Sequence, residues 1–310
     1  MSAEEVARAI SEPIVKLIDV CSQGVGRVYE PTHIKRIAKA IRENSDLPIK
    51  YNSGHISIDG SSMDEIEKRM QNRLYYQEMK KQRNIENVIA ESYLQLKFEP
   101  EVSSKSVDAD WITRFFNSVE GVNNEQMQLL WSALLSGEIK KPGSYSLRTL
   151  DTLRNITEDE AKVFRKIVPF IVHDNHDCSF LQYKLIWDHF NISFSNILSL
   201  IDVGLINPMS SLVYEIEFYK DKQTTAFMYG TKALIFNHNI GNKETLCLPA
   251  YKLTKVGQEL LSLTEEPFCQ EYIEMLSKEL LKDEISLSYC DVFDIHDGKL
   301  EYDVTDVIEI

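Results

Sequence analysis

The residues best equipped for chemistry lie in one short stretch, Lys140-Lys141-Pro-Gly-Ser-Tyr-Ser-Leu-Arg148. Lys140, Lys141 and Arg148 are cations, and Ser144, Tyr145 and Ser146 carry hydroxyls. Backbone amides ahead of a helix add partial positive charge, so the stretch could hold an anion. Plain capping suits the same residues: Ser146 starts a helix and Lys140 ends the one before it. A second basic set, Lys68, Arg69, Arg73, Lys80, Lys81 and Arg83, is interleaved with Tyr75 and Tyr76. Rings for stacking and cations for phosphate would line nucleic acid, and a solvated helix face would have the same composition. The third group is His173-Asp-Asn-His176-Asp-Cys178, whose His173, His176 and Cys178 are zinc-type donors. No second cluster completes a tetrahedral set at a recognised spacing, and polar residues are also what a connecting loop contains.

Catalytic signatures do not accompany these groups. GxSxG, HExxH, P-loop and GxGxxG patterns are missing, and Gly24-Val-Gly26 is too short to cradle a phosphate. Carboxylates abound, but sequence alone does not divide them into acid and base. No catalytic residue and no cofactor is therefore assigned. Five widely spaced cysteines, none in a CxxC pair, read as reduced thiols and not as a disulfide framework. An acidic N-terminus and the lack of any run of about 18 apolar residues point to a cytoplasmic protein that does not enter a membrane.

Charge is divided unequally. Residues 1–150 set 20 basic side chains against 21 acidic ones, and residues 151–310 set 14 against 27, so the C-terminal half carries almost all of the net −14. Duplex binding needs a basic face that displaces counterions, which makes this half a poor DNA binder.

Positioning these groups falls mainly to helices, because glycine and proline are scarce at 12 and 9 among 310 residues. Residues 2–20 read as an amphipathic helix broken near Pro13, and Pro31–Ile41 as a second helix, before a polar alternating stretch at 54–60. A capping box at Ser62–Glu65 opens a helix that can run to about Leu96, polar all round in its middle. Trp111, Ile112, Phe115 and Phe116 form one apolar stripe. Met127, Leu130, Trp131, Leu134 and Leu135 form the next, with Gly137 where a C′ glycine belongs. Leu147, Leu150 and Leu153 mark a short helix, and Thr157–Glu160 is another capping box. Helices are expected over 180–190 and 195–203, the latter ended by Gly204. Strands follow over 212–219, 224–229, 232–236 and 245–248, then a helix over 251–261 and a terminal hairpin about Asp297-Gly298. The order of helices, a Gly-Leu-Ile exit, strands and Lys252-Leu-Thr-Lys-Val-Gly-Gln-Glu-Leu-Leu261 is similar to winged-helix domains.

Tyr29-Glu-Pro-Thr-His-Ile-Lys-Arg-Ile-Ala-Lys-Ala40, Gln82-Arg-Asn-Ile-Glu86 and Leu130-Trp131 with Leu135-Ser-Gly-Glu-Ile-Lys-Lys-Pro-Gly-Ser-Tyr-Ser-Leu-Arg-Thr-Leu150 carry a resemblance. They resemble an uncharacterised bacterial family defined only as a domain of unknown function, over roughly residues 14–265, with Tyr145 where that family has Phe. The central block, closing on the Leu153–Ala161 segment, is also similar in layout to the abortive-infection alpha proteins of phage resistance. The first resemblance implies no chemistry; the second implies bacterial defence against phage. The expected fold is mainly α with a smaller α+β part. It comprises N-terminal helices over 1–60, a long helix over 61–105, a central helical domain over 106–172 and a winged-helix-like α+β domain with a C-terminal hairpin over 173–310. The expected role is a non-enzymatic sensor or adaptor that forms homo-oligomers and contacts a protein partner. Nucleic-acid binding through the long helix and the 140–148 loop is the alternative, and a metal-dependent hydrolase with scattered carboxylates the second.

Overall fold

The computed structural model describes residues 11–25, 39, 65–173, 177–208, 213–217, 224–238, 245–283, 285–296, 299–302 and 307–310. The Ser2 capping box, the 31–41 helix apart from Lys39, the Ser62 cap and the 54–60 stretch lie outside these residues. The chain is mainly helical with an antiparallel α+β part, and divides into two units, residues 1–154 and 155–310.

In the first unit, α1 (Glu12–Val25) follows the non-helical Ser11, and the residues before Ser11 in the expected 2–20 helix lie outside those described. Pro13 falls in the first turn, where a missing N–H breaks no helical bond. Ile14, Leu17, Val20 and Cys21 form its buried face. The next helix, α2 (Glu65–Leu96), ends at the expected Leu96, and at 32 residues it is about 48 Å long. Its second half buries Val88, Ile89, Ser92 and Leu96. It packs on α4 (Glu125–Lys140), with Ser92 Oγ donating to Ser132 O at 3.2 Å and Gln95 Nε2 to Ser132 Oγ at 3.0 Å. Asp108 caps α3 (Ala109–Val119) by accepting from Trp111 N, and Asn124 caps α4 by accepting from Met127 N. The two apolar stripes meet in the core: Phe115 stacks on Trp111 at 5.1 Å and meets Trp131 edge-on at 5.5 Å.

Gly137 does not end α4, which continues to Lys140 before α5 (Leu147–Asn155). Its lack of a side chain serves packing instead, because a Cβ there would lie 2.5 Å from Tyr145 Oη.

The second unit opens with α6 (Glu158–Ile167), where Thr157 and Glu160 complete the expected reciprocal cap. A 3₁₀ turn over Val168–Phe170 takes up Pro169. The segment expected as one helix over 180–190 is divided: β1 (Val172–His173) and β2 (Cys178–Leu181) pair antiparallel, and α7 (Lys184–His189) follows. Short apolar runs such as Cys178-Ser-Phe-Leu181 fit either period, and pairing on both edges decides for strand. Then comes α8 (Phe194–Asp202), left through Gly204 at φ +79°. The strands β3 (Val213–Glu217), β4 (Thr224–Tyr229), β5 (Lys232–His238) and β6 (Thr245–Lys252) lie where alternation placed them. Over 251–261 the strand runs on to Lys252, and α9 (Lys255–Leu261) begins only after the Thr254 cap. A further helix, α10 (Gln270–Leu280), has no counterpart among the expected elements. The expected terminal hairpin is β7 (Ile285–His296) with β8 (Lys299–Tyr302), and β9 (Ile308–Glu309) also pairs with β7.

All nine described strands join one antiparallel sheet in the order β3-β6-β2-β1-β4-β5-β7-β8, with β9 off that path. The two-residue β1 joins β2 to β4 and is the narrowest point of the sheet. Beside it, Phe180, Trp187 and Tyr251 form an aromatic cluster with centroids 5.4 to 6.0 Å apart.

Candidate functional sites

The 140–148 loop is held from within. Glu138 on α4 is buried, and its carboxylate accepts from Gly143 N at 2.6 Å and from Tyr145 N at 3.0 Å. The amides that the sequence offers to an anion thus already meet one, supplied by the chain itself. Lys140 pairs with Glu99, Ser144 Oγ donates to Lys141 O at 2.7 Å, and Ser146 Oγ shares a hydrogen with Thr149 Oγ1 at 3.1 Å. Lys141 and Arg148 are exposed. A cleft of about 660 Å³ beside the loop is lined by Asp108, Asp110 and Glu138 against Lys105, a sign of charge that repels anions. Lys16 donates to Ser103 O at 2.6 Å; burial lowers its pKa, with Glu12 and Glu138 pulling the other way.

The basic set on α2 has a different setting. Every residue from Glu67 to Glu78 is exposed, including Met70, Leu74, Tyr75 and Tyr76 at 46, 45, 56 and 69%. Lys68, Arg69 and Arg73 lie within this stretch and Lys80 just beyond it, while Lys81 is tied to Glu78 at 3.0 Å and Glu120 at 3.5 Å. The hydrogen bond to Glu78 leads in raising the Lys81 pKa, followed by the charges of Glu120 and Glu78. A groove of about 610 Å³ runs between Tyr75, Tyr76, Lys80 and Arg83 on its rim and Asn84 and Gln128 at its floor. The floor amides are engaged: Asn84 Nδ2 donates to Glu120 O at 2.9 Å, Gln128 Nε2 to Val122 O at 2.8 Å, and Asn87 Nδ2 to Gln128 Oε1 at 3.1 Å. Rings and cations are what the rim offers to another molecule.

In the second unit, His173 and Cys178 face each other across the β1–β2 pair, with Cys178 Sγ 3.2 Å from His173 Nδ1. His173 Nε2 meets the Glu266 carboxylate, so both ring nitrogens are engaged inside the protein. Burial works to lower the His173 pKa, but the hydrogen bonds and charges of Cys178 and Glu266 prevail and push it up to about 10. The sequence singles out His173 and Cys178 but not Glu266, which lies 93 positions from His173 and belongs to no spacing pattern. His176 lies outside the described residues, and among those described no group of three or more His, Cys, Asp or Glu is arranged to hold a metal ion. On the helix pair α7 and α8, Leu185, Phe194 and Leu198 are exposed at 64, 62 and 42%. No helix among the described residues is long and apolar enough to cross a membrane.

No curated protein and no solved structure matches the chain. One family model does, over residues 68–277, about two thirds of the chain and the span that holds most of α2, the 140–148 loop and the His173–Cys178 pair. The chain belongs to that family, DUF2806, described as a protein of unknown function.

Proposed function

We propose that the protein is a non-enzymatic sensor or adaptor that works by contact, and that the exposed stretch of α2 docks on the acidic C-terminal half of a second copy. One observation carries this reading: twelve consecutive helical residues, 67–78, are exposed and bear Met70, Leu74, Tyr75 and Tyr76. Apolar side chains four apart on a helix make a docking stripe, and a helical stretch this short is marginal in water without tertiary contacts. Charge selects the occupant. Lys68, Arg69, Arg73, Lys80, Lys81 and Arg83 form a basic arm, and the other large charge available to the chain is its own acidic half, residues 151–310. A net charge of −14 opposes a polyanion approaching the same arm.

The C-terminal unit supports protein recognition independently. What supports a winged-helix reading is the succession α6, β2, α7, α8, β3, β6, with β6 between β3 and β2, the β4–β5 hairpin then counting as an insertion into the wing. In this reading α8 is the recognition helix. Its sequence, FSNILSLID, contains no Lys or Arg, and it exposes Phe194 and Leu198, which suits a protein surface better than phosphates. A role in phage defence is supported only by the layout of the central block.

The test is light scattering on the full-length protein across concentration and salt. Mass should rise above the 35.8 kDa of one chain at low salt and return toward it at high salt, because charges are screened beyond about 10 Å at 0.1 M. A single-chain mass at every concentration and at low salt would reject self-association.

The groove rimmed by Tyr75, Tyr76, Lys80 and Arg83 favours a second reading, single-stranded nucleic acid stacked on the two rings. That reading requires a log–log salt slope of about −0.7 per phosphate contacted. An oligonucleotide that fails to bind at low salt removes it.

A further inference from the structure

We propose that Cys178, with His173 and Glu266, forms a nucleophilic thiol site whose electrophile is a small hydroperoxide. The site stands apart from α2 and owes nothing to the self-association reading. The three side chains form a relay: Cys178 Sγ is 3.2 Å from His173 Nδ1, and His173 Nε2 is held by the Glu266 carboxylate. This is the order in which a nucleophile, its base and an orienting acid must stand for the thiol to pass its proton to the ring. The carboxylate fixes the tautomer and steadies the imidazolium that results. His173 and Glu266 are a quarter or less exposed, at 25 and 22%, so water screens the relay weakly. Two further charges close to it, Asp177 beside Cys178 and Lys252 on β6, pair with each other at 2.8 Å.

The surroundings choose the electrophile. Cys178 lies inside the ladder, opposite His173 on β1, and its carbonyl accepts from Leu253 N at 2.8 Å; an acyl substrate would need backbone donors aimed at its oxyanion. Cys178 lines neither of the clefts described above. A peroxide needs no oxyanion hole and little room. In the step, His173 already holds the proton as an imidazolium, and the Cys178 thiolate sulfur attacks one peroxide oxygen. The O–O bond breaks, and the departing hydroxide takes the imidazolium proton. With hydrogen peroxide the products are a sulfenic acid and water, the sulfur oxidised by two electrons and the peroxide reduced by two.

The experiment uses the full-length protein. Iodoacetamide labelling is followed by peptide mass spectrometry from pH 5 to 9, with glutathione as an ordinary thiol, and sulfenic acid is trapped with dimedone after hydrogen peroxide. Cys178 should alkylate at a rate nearly flat from pH 6 to 9 and at least about tenfold faster than glutathione at pH 6, where an ordinary thiol loses about tenfold per unit. It should also be the first cysteine trapped by dimedone. His173→Gln should restore the ordinary pH profile, and Glu266→Gln, which removes the carboxylate charge from His173 Nε2, should shift the profile part of the way. A glutathione-like profile for Cys178 in the parent protein, or no change in profile in Glu266→Gln, overturns the proposal.

Discussion

A carboxylate with 1% of its surface exposed must have its charge met inside the protein, and Glu138 meets it with the amides of Gly143 and Tyr145. Removing it leaves the two N–H groups of the loop unpaired, each costing about 1–3 kcal/mol. Glu138→Ala should therefore lower unfolding stability by about 2–5 kcal/mol by urea titration, while Lys141→Ala and Arg148→Ala, at the surface, should stay within about 0.5 kcal/mol. Equal effects from all three would mean that the loop is not organised from within. This carboxylate also explains why the site is only half legible in the sequence. Cations, hydroxyls and amides are all visible in Lys140–Arg148, yet whether the amides face outward depends on Glu138, which the sequence presents as one more helical acid. The His173 relay titrates with a sign that follows from its direction. Its pKa rises from the ordinary 6.5 to about 10 on folding, so it adds stability that is complete below about 6.5 and is lost as pH climbs through about 10. Thermal melts of the parent should fall over that window more steeply than those of His173→Gln; parallel curves would contradict the assignment.

At the scale of elements, periodicity identifies the helices that bury a continuous face. Trp111, Phe115 and Trp131 meet as their spacing requires, and Trp131→Ala should cost about 3–5 kcal/mol, read from chemical denaturation, because the side chain is fully buried. A loss below about 1 kcal/mol would deny that core. Where periodicity misleads, the deciding contact is remote. Gly137 has the position of a helix terminator but makes room for Tyr145, and Cys178–Leu181 has a helical flavour that its partners on β1 and β6 override. For α2 the prediction is a separation of effects. Met70→Glu with Leu74→Glu touches no buried surface, so melting temperature in dilute solution should hold, while self-association in light scattering is lost. Loss of folding instead would place those side chains in the core.

For the whole molecule, the uneven charge of the chain is as informative as any motif. In the proposed self-association, a basic helical arm in a chain of net charge −14 would find its complement in the acidic half of a second copy. Family membership says nothing against this, since the family is one of unknown function. The mainly helical build and the strands β3 to β8 are readable from the sequence, because both rest on local periods, whereas β1 and β2 are not. The joining of nine strands across β1 is not, because it depends on a two-residue pairing. Whether residues 67–78 of α2 are a contact surface is decided by amide hydrogen exchange over that stretch at rising protein concentration and low salt. Exchange that is fast in dilute protein and slows as concentration rises, with protection lost in Met70→Glu/Leu74→Glu, is the expected result. Exchange over 67–78 that is independent of concentration would contradict it.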